Sequence, residues 1–289
     1  ALYDSDHEVI AVFTQPDKPI GRGHKMDASP VKKLAIEHKT AVFQPGSLKN
    51  GETLDLIQEL EPDILAVVAY GKMIPRSIFS SPKYGAINLH GSLLPKYRGA
   101  SPIQSSVLNG DDITGVCTMH IAEDMDTGDI IYCEETEIGE YETSGELTVR
   151  LSEIGAKLLI RTLTEIEKGT APRLPQDNSK ASYTGRLNKS MSPVDWNKSQ
   201  KEIIKQICGL DPWPAASAAF GDSHLKLYAP QYTQTTTNKN PGEIVYAGKE
   251  GIEIACAKGK TVLITEGQAA GKKRLKASEW LLGHPLQVL

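Results

Sequence analysis

Two polar clusters in this sequence have residue types and spacing that could do chemistry. Asn88-Leu-His90 ends an apolar run and enters Gly91-Ser-Leu-Leu-Pro95. In a strand, side chains repeat every second residue, so Asn88 and His90 share a face. An amide and an imidazole side by side can both donate hydrogen bonds to an oxygen that gains negative charge. An isolated histidine at a strand end is more often a hydrogen-bonded structural residue; the paired Asn88 and the glycine-proline loop argue for chemistry. The second cluster, Glu123-Asp-Met-Asp-Thr-Gly-Asp129, packs four carboxylates into one loop. Such a loop is solvated, binds a cation or serves a reaction. Its spacing does not follow the EF-hand ligand pattern.

The surrounding elements must hold these clusters in register. Val9–Phe13, Ile64–Ala69, Gly85–His90 and Gly115–Ile121 read as strands. The run at 64–69 is apolar on consecutive positions, which predicts a strand buried on both faces of a parallel sheet. Ser29-Pro30 predicts a helix start, with a hydroxyl N-cap and proline at the first turn, running to Glu37. Residues 53–60 and 143–168 carry apolar residues at helical spacing. Strand–helix alternation predicts a doubly wound, Rossmann-like α/β domain, whose ligand crevice lies at the carboxyl ends of the strands. His90 stands at such an end. Ala1–Asp6 reads as the tail of a helix, so a first strand is expected to be missing before it.

Residues 172–200 have linker composition, with Pro172, Pro175 and Pro193 among Asn, Ser, Lys and Gln. A helical segment from Glu202 to Leu210 stops at Asp211-Pro-Trp-Pro214. Five short strands follow, at 216–220, 225–228, 243–246, 252–255 and 261–265. They predict a small OB-like antiparallel barrel. The expected division is a catalytic domain over 1–180, a linker over 181–200 and a barrel domain over 201–289.

Across 289 residues the net charge is −4, and its distribution is uneven. Residues 201–289 carry 11 Lys/Arg against 8 Asp/Glu, and residues 16–39 carry six against three. An acidic body with two basic regions suits an anionic partner. No apolar run reaches the roughly 20 residues that span a bilayer. The four cysteines, Cys117, Cys133, Cys208 and Cys256, form no CxxC pair and no zinc spacing, so reduced structural thiols are expected. Gly259-Lys260-Thr261 resembles the end of a phosphate-binding P-loop, but Ile254 stands where its first glycine should be.

Taken together, Asn88-Leu-His-Gly-Ser-Leu-Leu-Pro95, Tyr97-Arg-Gly-Ala-Ser-Pro102 and Met125-Asp-Thr-Gly-Asp129 resemble the signature of the 10-formyltetrahydrofolate-dependent formyltransferases. The resemblance implies a catalytic set of Asn88, His90 and Asp126, with Ser92, Leu93, Leu94 and Pro95 against the folate. It implies 10-formyltetrahydrofolate as formyl donor and no metal. It extends through Gln15–Gly23, Asp195-Trp196, Pro212-Trp-Pro214 and Gly271–Arg274, and so covers nearly the whole chain. Those outer segments are similar to the branch whose acceptor is the initiator methionyl-tRNA. In that branch a glycine-flanked arginine reaches the acceptor end of the tRNA. Arg22 matches it, with Lys18, Lys25, Lys32 and Lys33 around it. Lys272, Lys273, Arg274 and Lys276 are expected to contact phosphates. The resemblance implies a cytoplasmic monomer.

The residue types suit amine attack on a formamide-like carbonyl. Asn88 and a protonated His90 would donate to the developing oxyanion, each such donor contributing about 2.7–4 kcal/mol. Asp126 would hold the imidazole, favour its charged form and help move the amine proton. Two rivals stay open at this stage: a formyltransferase acting on an amino sugar nucleotide, and an RNA-binding protein with a decayed catalytic domain.

Overall fold

The computed structural model describes residues 1–20, 25–221 and 223–286, with only the backbone given for 18–20 and 25. The chain divides into two compact units. The first comprises residues 1–99, 116–134 and 152–182; the second comprises 100–115, 135–151 and 183–289.

In the first unit, β1 (Ala11–Phe13) runs parallel to β4 (Ala41–Phe43). Between them lie a short antiparallel pair, β2 (Lys18–Ile20) and β3 (Lys25–Asp27), and helix α1 (Pro30–Glu37). Helix α1 begins as its sequence dictates: the Ser29 hydroxyl accepts the Lys32 N–H, and Pro30 opens the first turn. Helix α2 (Glu52–Leu60) leads to β5 (Leu65–Val68), α3 (Arg76–Phe79) and β6 (Ala86–His90). After β7 (Arg98–Gly99) the chain passes through α4 (Pro102–Leu108) of the second unit, and then forms β8 (Ile113–His120) and β9 (Ile130–Glu137), of which residues 116–120 and 130–134 belong to the first. The sheet order is β5-β6-β8-β9. β5 and β6 are parallel, whereas β6 and β8 are antiparallel, so the sheet is mixed.

The expected double burial of the 64–69 run is not found. Side chains of β5 alternate between half-buried and exposed, and Val68 is 51% exposed. The reason is positional: among the described residues β5 pairs only with β6, so it is an edge strand. The long helix α5 (Ser144–Glu167) covers one face of β6. Leu159, Leu163 and Ile166 pack there against Ile87 and Ile131. Gly155 lets the helix come close, because a Cβ there would stand 2.7 Å from a Leu89 methyl. Leu89 points to the opposite face of β6 from Asn88 and His90, so this packing fixes the strand without obstructing them.

The second unit contains β10 (Tyr183–Thr184) and α6 (Gln200–Leu210). A capping box of Ser199 and Glu202 starts α6. All five predicted strands form: β11 (Ser217–Phe220), β12 (Ser223–Thr236), β13 (Ile244–Gly248), β14 (Gly251–Ala255) and β15 (Lys260–Ala269). β16 (Leu275–Lys276) and helix α7 (Ala277–Gly283) complete the unit. Leu225, Leu227, Ile252, Ile254, Val262 and Ile264 are fully buried at alternate positions, one face of a packed antiparallel sheet. The sheet runs β11-β12-β15-β14-β13, with β16 on β15. The closed barrel expected from the strand count is not present: among the described strands, β11 and β13 end the path without pairing to each other.

The cysteine expectation also needs correction. Cys117 on β8 and Cys133 on β9 form a disulfide, their Cα atoms 4.1 Å apart. These strands are neighbours in the sheet, and pairing across a sheet leaves no mark in CxxC spacing. Cys208 and Cys256 are free and buried.

Candidate active site

Strand β6 brings Asn88 and His90 to one face at its carboxyl end. Opposite them on β8 stand Met119 and Cys117 respectively. The amide of Asn88 is half-buried and makes no hydrogen bond within the described residues, so its N–H groups are available to a ligand. His90 is buried, and its Nε2 lies 2.9 Å from the Tyr97 carbonyl oxygen. A carbonyl only accepts, so Nε2 carries a proton. The other ring nitrogen, Nδ1, faces Asp126 Oδ2 at 3.7 Å.

The acidic loop resolves into separate tasks. Glu123 pairs with Arg76 at 2.7 Å and Asp129 with Arg173 at 3.0 Å, while Asp124 stays exposed. Only Asp126 of the four turns toward His90, and Gly99 N–H donates to its Oδ2 at 2.8 Å. Its backbone is left-handed, with φ at 56°, a conformation that short polar residues tolerate better than most. Gly128 closes the loop where no side chain fits: a Cβ would stand 1.8 Å from the His120 carbonyl oxygen. His120 is partly buried, which holds its imidazole below the usual histidine range, and the nearby Arg173 acts in the same direction. Among the described residues no group of three or more His, Cys, Asp or Glu could hold a metal ion.

The loop after His90 is partly internal. Ser92 is fully buried, and its hydroxyl donates to the Lys96 carbonyl at 2.6 Å. Leu94 is buried with Cys117 and Met119, whereas Leu93 and Pro95 remain partly open. Of the four residues expected to contact folate, Leu93 and Pro95 are thus the accessible ones.

Arg22 lies outside the described residues, as do the side chains of Lys18 and Lys25. The base of their loop is firmly built. Asp17 accepts from Lys32 Nζ at 2.7 Å and from Gln44 Nε2 at 2.8 Å, and these bonds hold its carboxyl below the usual range. Lys33 pairs with Asp27. Lys32 and Lys33 therefore brace the loop. In the second unit Lys272, Lys273 and Lys276 are exposed. Arg274 is not available in the same way: it pairs with Asp211 and Glu266 and lies 4.1 Å over the Tyr228 ring. Sequence reasoning missed the buried Arg98 and its partner Gln176, which sits in the segment of linker composition.

A mixed α/β sheet carries Asn88 and His90 at a strand end and Asp126 on the facing loop, and the domain that holds them is that of a formyltransferase. Residues 1–163 match the family model described as Formyl transferase, and residues 186–285 match its C-terminal domain model. The methionyl-tRNA formyltransferase of Sulfurihydrogenibium sp. is 46% identical over 91% of this chain and 85% of its own length. That of Alkaliphilus oremlandii is 42% identical over 99% of this chain and 92% of its own. The chain belongs to the methionyl-tRNA formyltransferase family. More distant likenesses concern the fold. HypX from Aquifex aeolicus, solved with tetrahydrofolic acid, aligns with TM-score 0.65 at 18% identity, over 94% of this chain and 46% of that one. An N-formyltransferase from Helicobacter canadensis, solved with folinic acid and dTDP-3-aminofucose, aligns with TM-score 0.66 at 18% identity, over 91% of this chain and all of that one.

Proposed function

We propose that this protein transfers the formyl group of 10-formyltetrahydrofolate to the amino group of initiator methionyl-tRNA. The observation that carries the chemistry is the convergence of Asn88, His90 and Asp126 within one unit. The methionyl amine attacks the formyl carbon, the bond from that carbon to folate N10 breaks, and the amine proton passes to N10. Tetrahydrofolate and formylmethionyl-tRNA result. Charge on the formyl oxygen is met by the unpaired Asn88 amide. The imidazole, fixed at Nε2 by the Tyr97 carbonyl, acts through Nδ1, with Asp126 orienting it and relaying the amine proton. No side-chain nucleophile or metal takes part in this scheme.

The donor lies against Leu93 and Pro95, while Ser92 and Leu94 shape their loop from within. Arg22, flanked by Lys18 and Lys25, reaches the acceptor end of the tRNA, and residues 201–289 form the tRNA-binding domain. Within it Lys272 and Lys273 meet phosphates, and Arg274 anchors the segment that carries them. We read the open six-stranded sheet of that domain as OB-like in use. The enzyme works as a monomer in the cytoplasm.

The test is transfer of labelled formyl from 10-formyltetrahydrofolate, with methionyl-tRNA and an amino sugar nucleotide offered in parallel and Arg22→Ala alongside. Label on methionyl-tRNA that falls with Arg22→Ala is the expected result. Label on the sugar alone would overturn the acceptor assignment and leave the chemistry standing.

A further inference from the structure

Both ends of the catalytic arrangement lead to one amide side chain that the reaction does not touch. Gln176 Nε2 donates to the carbonyl oxygens of Asp126, at 2.9 Å, and Gly128, at 2.7 Å. Its Oε1 accepts from Arg98 Nε at 3.0 Å and Nη2 at 2.8 Å. Arg98 is 1% exposed, and its Nη2 also donates to Asn178 Oδ1 at 2.8 Å. Arg98 in turn sits between the two residues that grip the trio. Tyr97 offers its carbonyl to His90 Nε2, and Gly99 gives its N–H to Asp126 Oδ2.

The backbone at both points needs such a clamp. Asp126 has φ at 56° and Tyr97 has φ at 57°, the left-handed region that residues with a Cβ avoid. Conformations of that kind persist where the surroundings over-determine them. Gln176 bonds directly to the main chain of Asp126 and, through Arg98, to the segment that includes Tyr97. Ser182 adds a second hold on that segment: its hydroxyl accepts the Tyr97 N–H at 2.9 Å and its carbonyl accepts the Arg98 N–H at 2.9 Å.

We propose that Gln176 is a positioning residue for formyl transfer: its amide locks the Asp126 loop to the Tyr97–Gly99 segment and so sets the His90–Asp126 geometry. This rests on the reading of Asn88, His90 and Asp126 as the catalytic set. Gln176→Glu separates the two halves of the clamp. The carboxylate still accepts from Arg98, but it has no N–H for the carbonyls of Asp126 and Gly128.

The experiment compares the full chain with Gln176→Glu, Gln176→Ala, Asp126→Asn and the Asp126→Asn/Gln176→Glu double variant, measuring kcat, both KM values and thermal melting. A displaced catalytic group costs on the order of 10- to 100-fold in turnover, so kcat of Gln176→Glu is expected to fall by about that factor. Its KM values should stay within about threefold and its melting near that of the parent, because uniform binding is untouched. Gln176 acts through Asp126, so the double variant should be no slower than Asp126→Asn alone. Parental kcat in Gln176→Glu and Gln176→Ala would overturn the inference while Asp126→Asn remains impaired. A further tenfold loss in the double variant would overturn it too, by showing an effect independent of Asp126. Parental turnover in Asp126→Asn itself would instead remove the catalytic reading beneath it.

Discussion

Asp126 Oδ2 stands 3.7 Å from His90 Nδ1 while accepting the Gly99 N–H at 2.8 Å. The carboxylate is thus held by the main chain and turned toward the imidazole, and the imidazole is held from its far side by the Tyr97 carbonyl. In the proposed scheme, removing either partner breaks the proton path, an effect usually of about 10²–10⁴ in rate. His90→Ala and Asp126→Asn are expected to lower kcat by about that range with intact folding, measured by formyl transfer under saturating substrates. Near-parental turnover in either variant would show that the path runs elsewhere.

Gly128 makes a separate, steric prediction. A methyl group there would overlap the His120 carbonyl at 1.8 Å, and backbone cannot swing aside as a side-chain tip can. Gly128→Ala must displace the Asp126 loop, which overpacking arguments put at about 1–3 kcal/mol or more. Lower thermal stability and loss of turnover should appear together. Gly46, whose Cβ would meet nothing within 4 Å, serves as the tolerant control.

The shared face of Asn88 and His90 was legible because Asn-x-His is a local pattern: strand periodicity alone puts both side chains on one face. Helix α1 was legible for the same reason, through Ser29 and Pro30. What escaped depends on pairing between distant segments. The apolar run at β5 has the composition of a central strand, but its exposure follows from its place at a sheet edge, which no local window contains. Gln176 sits among prolines and polar residues, so its composition says linker, while its bonds to Asp126, Gly128 and Arg98 come from chain neighbours far away in sequence. Arg274 reads as one more cation of a basic cluster until Asp211 and Glu266 are seen beside it.

The cysteines give a labelling prediction. Burial pushes the Cys208 thiol up to about 12 and raises that of Cys256, so at neutral pH neither presents a thiolate. Native protein treated with a maleimide should take up no label without reductant. After reduction, label should appear first on Cys133, the exposed partner, while Cys117 is fully buried. The bond closes a loop of sequence separation 16, for which chain entropy predicts a loss of about 3 kcal/mol on Cys133→Ser. Peptide mapping of the labelled sites and denaturant melts check both statements.

His120 supplies a pH dependence whose sign is fixed. Its folded-state imidazole titrates below the ordinary histidine value of about 6.5, chiefly through burial and then through Arg173. The unfolded chain therefore binds the proton more readily than the folded one. Stability should fall as pH drops from above 6.5 toward the lowered folded value, and level off below it. His120→Gln removes the titrating group, so melting temperatures across pH 5–7.5 should flatten relative to the parent. An unchanged slope in the variant would assign that dependence to another group.

The exposed lysines of the second unit can be distinguished from Arg274 by salt. A cation that meets a phosphate releases counterions, and each lost contact lowers the slope of log affinity against log salt by about 1. Lys272→Ala and Lys273→Ala should weaken binding to formylatable and non-formylatable tRNA alike, and each should reduce the slope by about that amount. Arg274 is held by two carboxylates and a tyrosine ring, so Arg274→Ala strips Asp211 of a counter-charge in a buried setting. Burial already raises the Asp211 carboxyl above its ordinary value, with Arg274 opposing that rise. Its loss should therefore appear first as lowered thermal stability near neutral pH, where Asp211 must ionise unpaired, and as partial recovery on acidification. A melting temperature equal to the parent's, together with a reduced salt slope, would return Arg274 to the set of phosphate contacts.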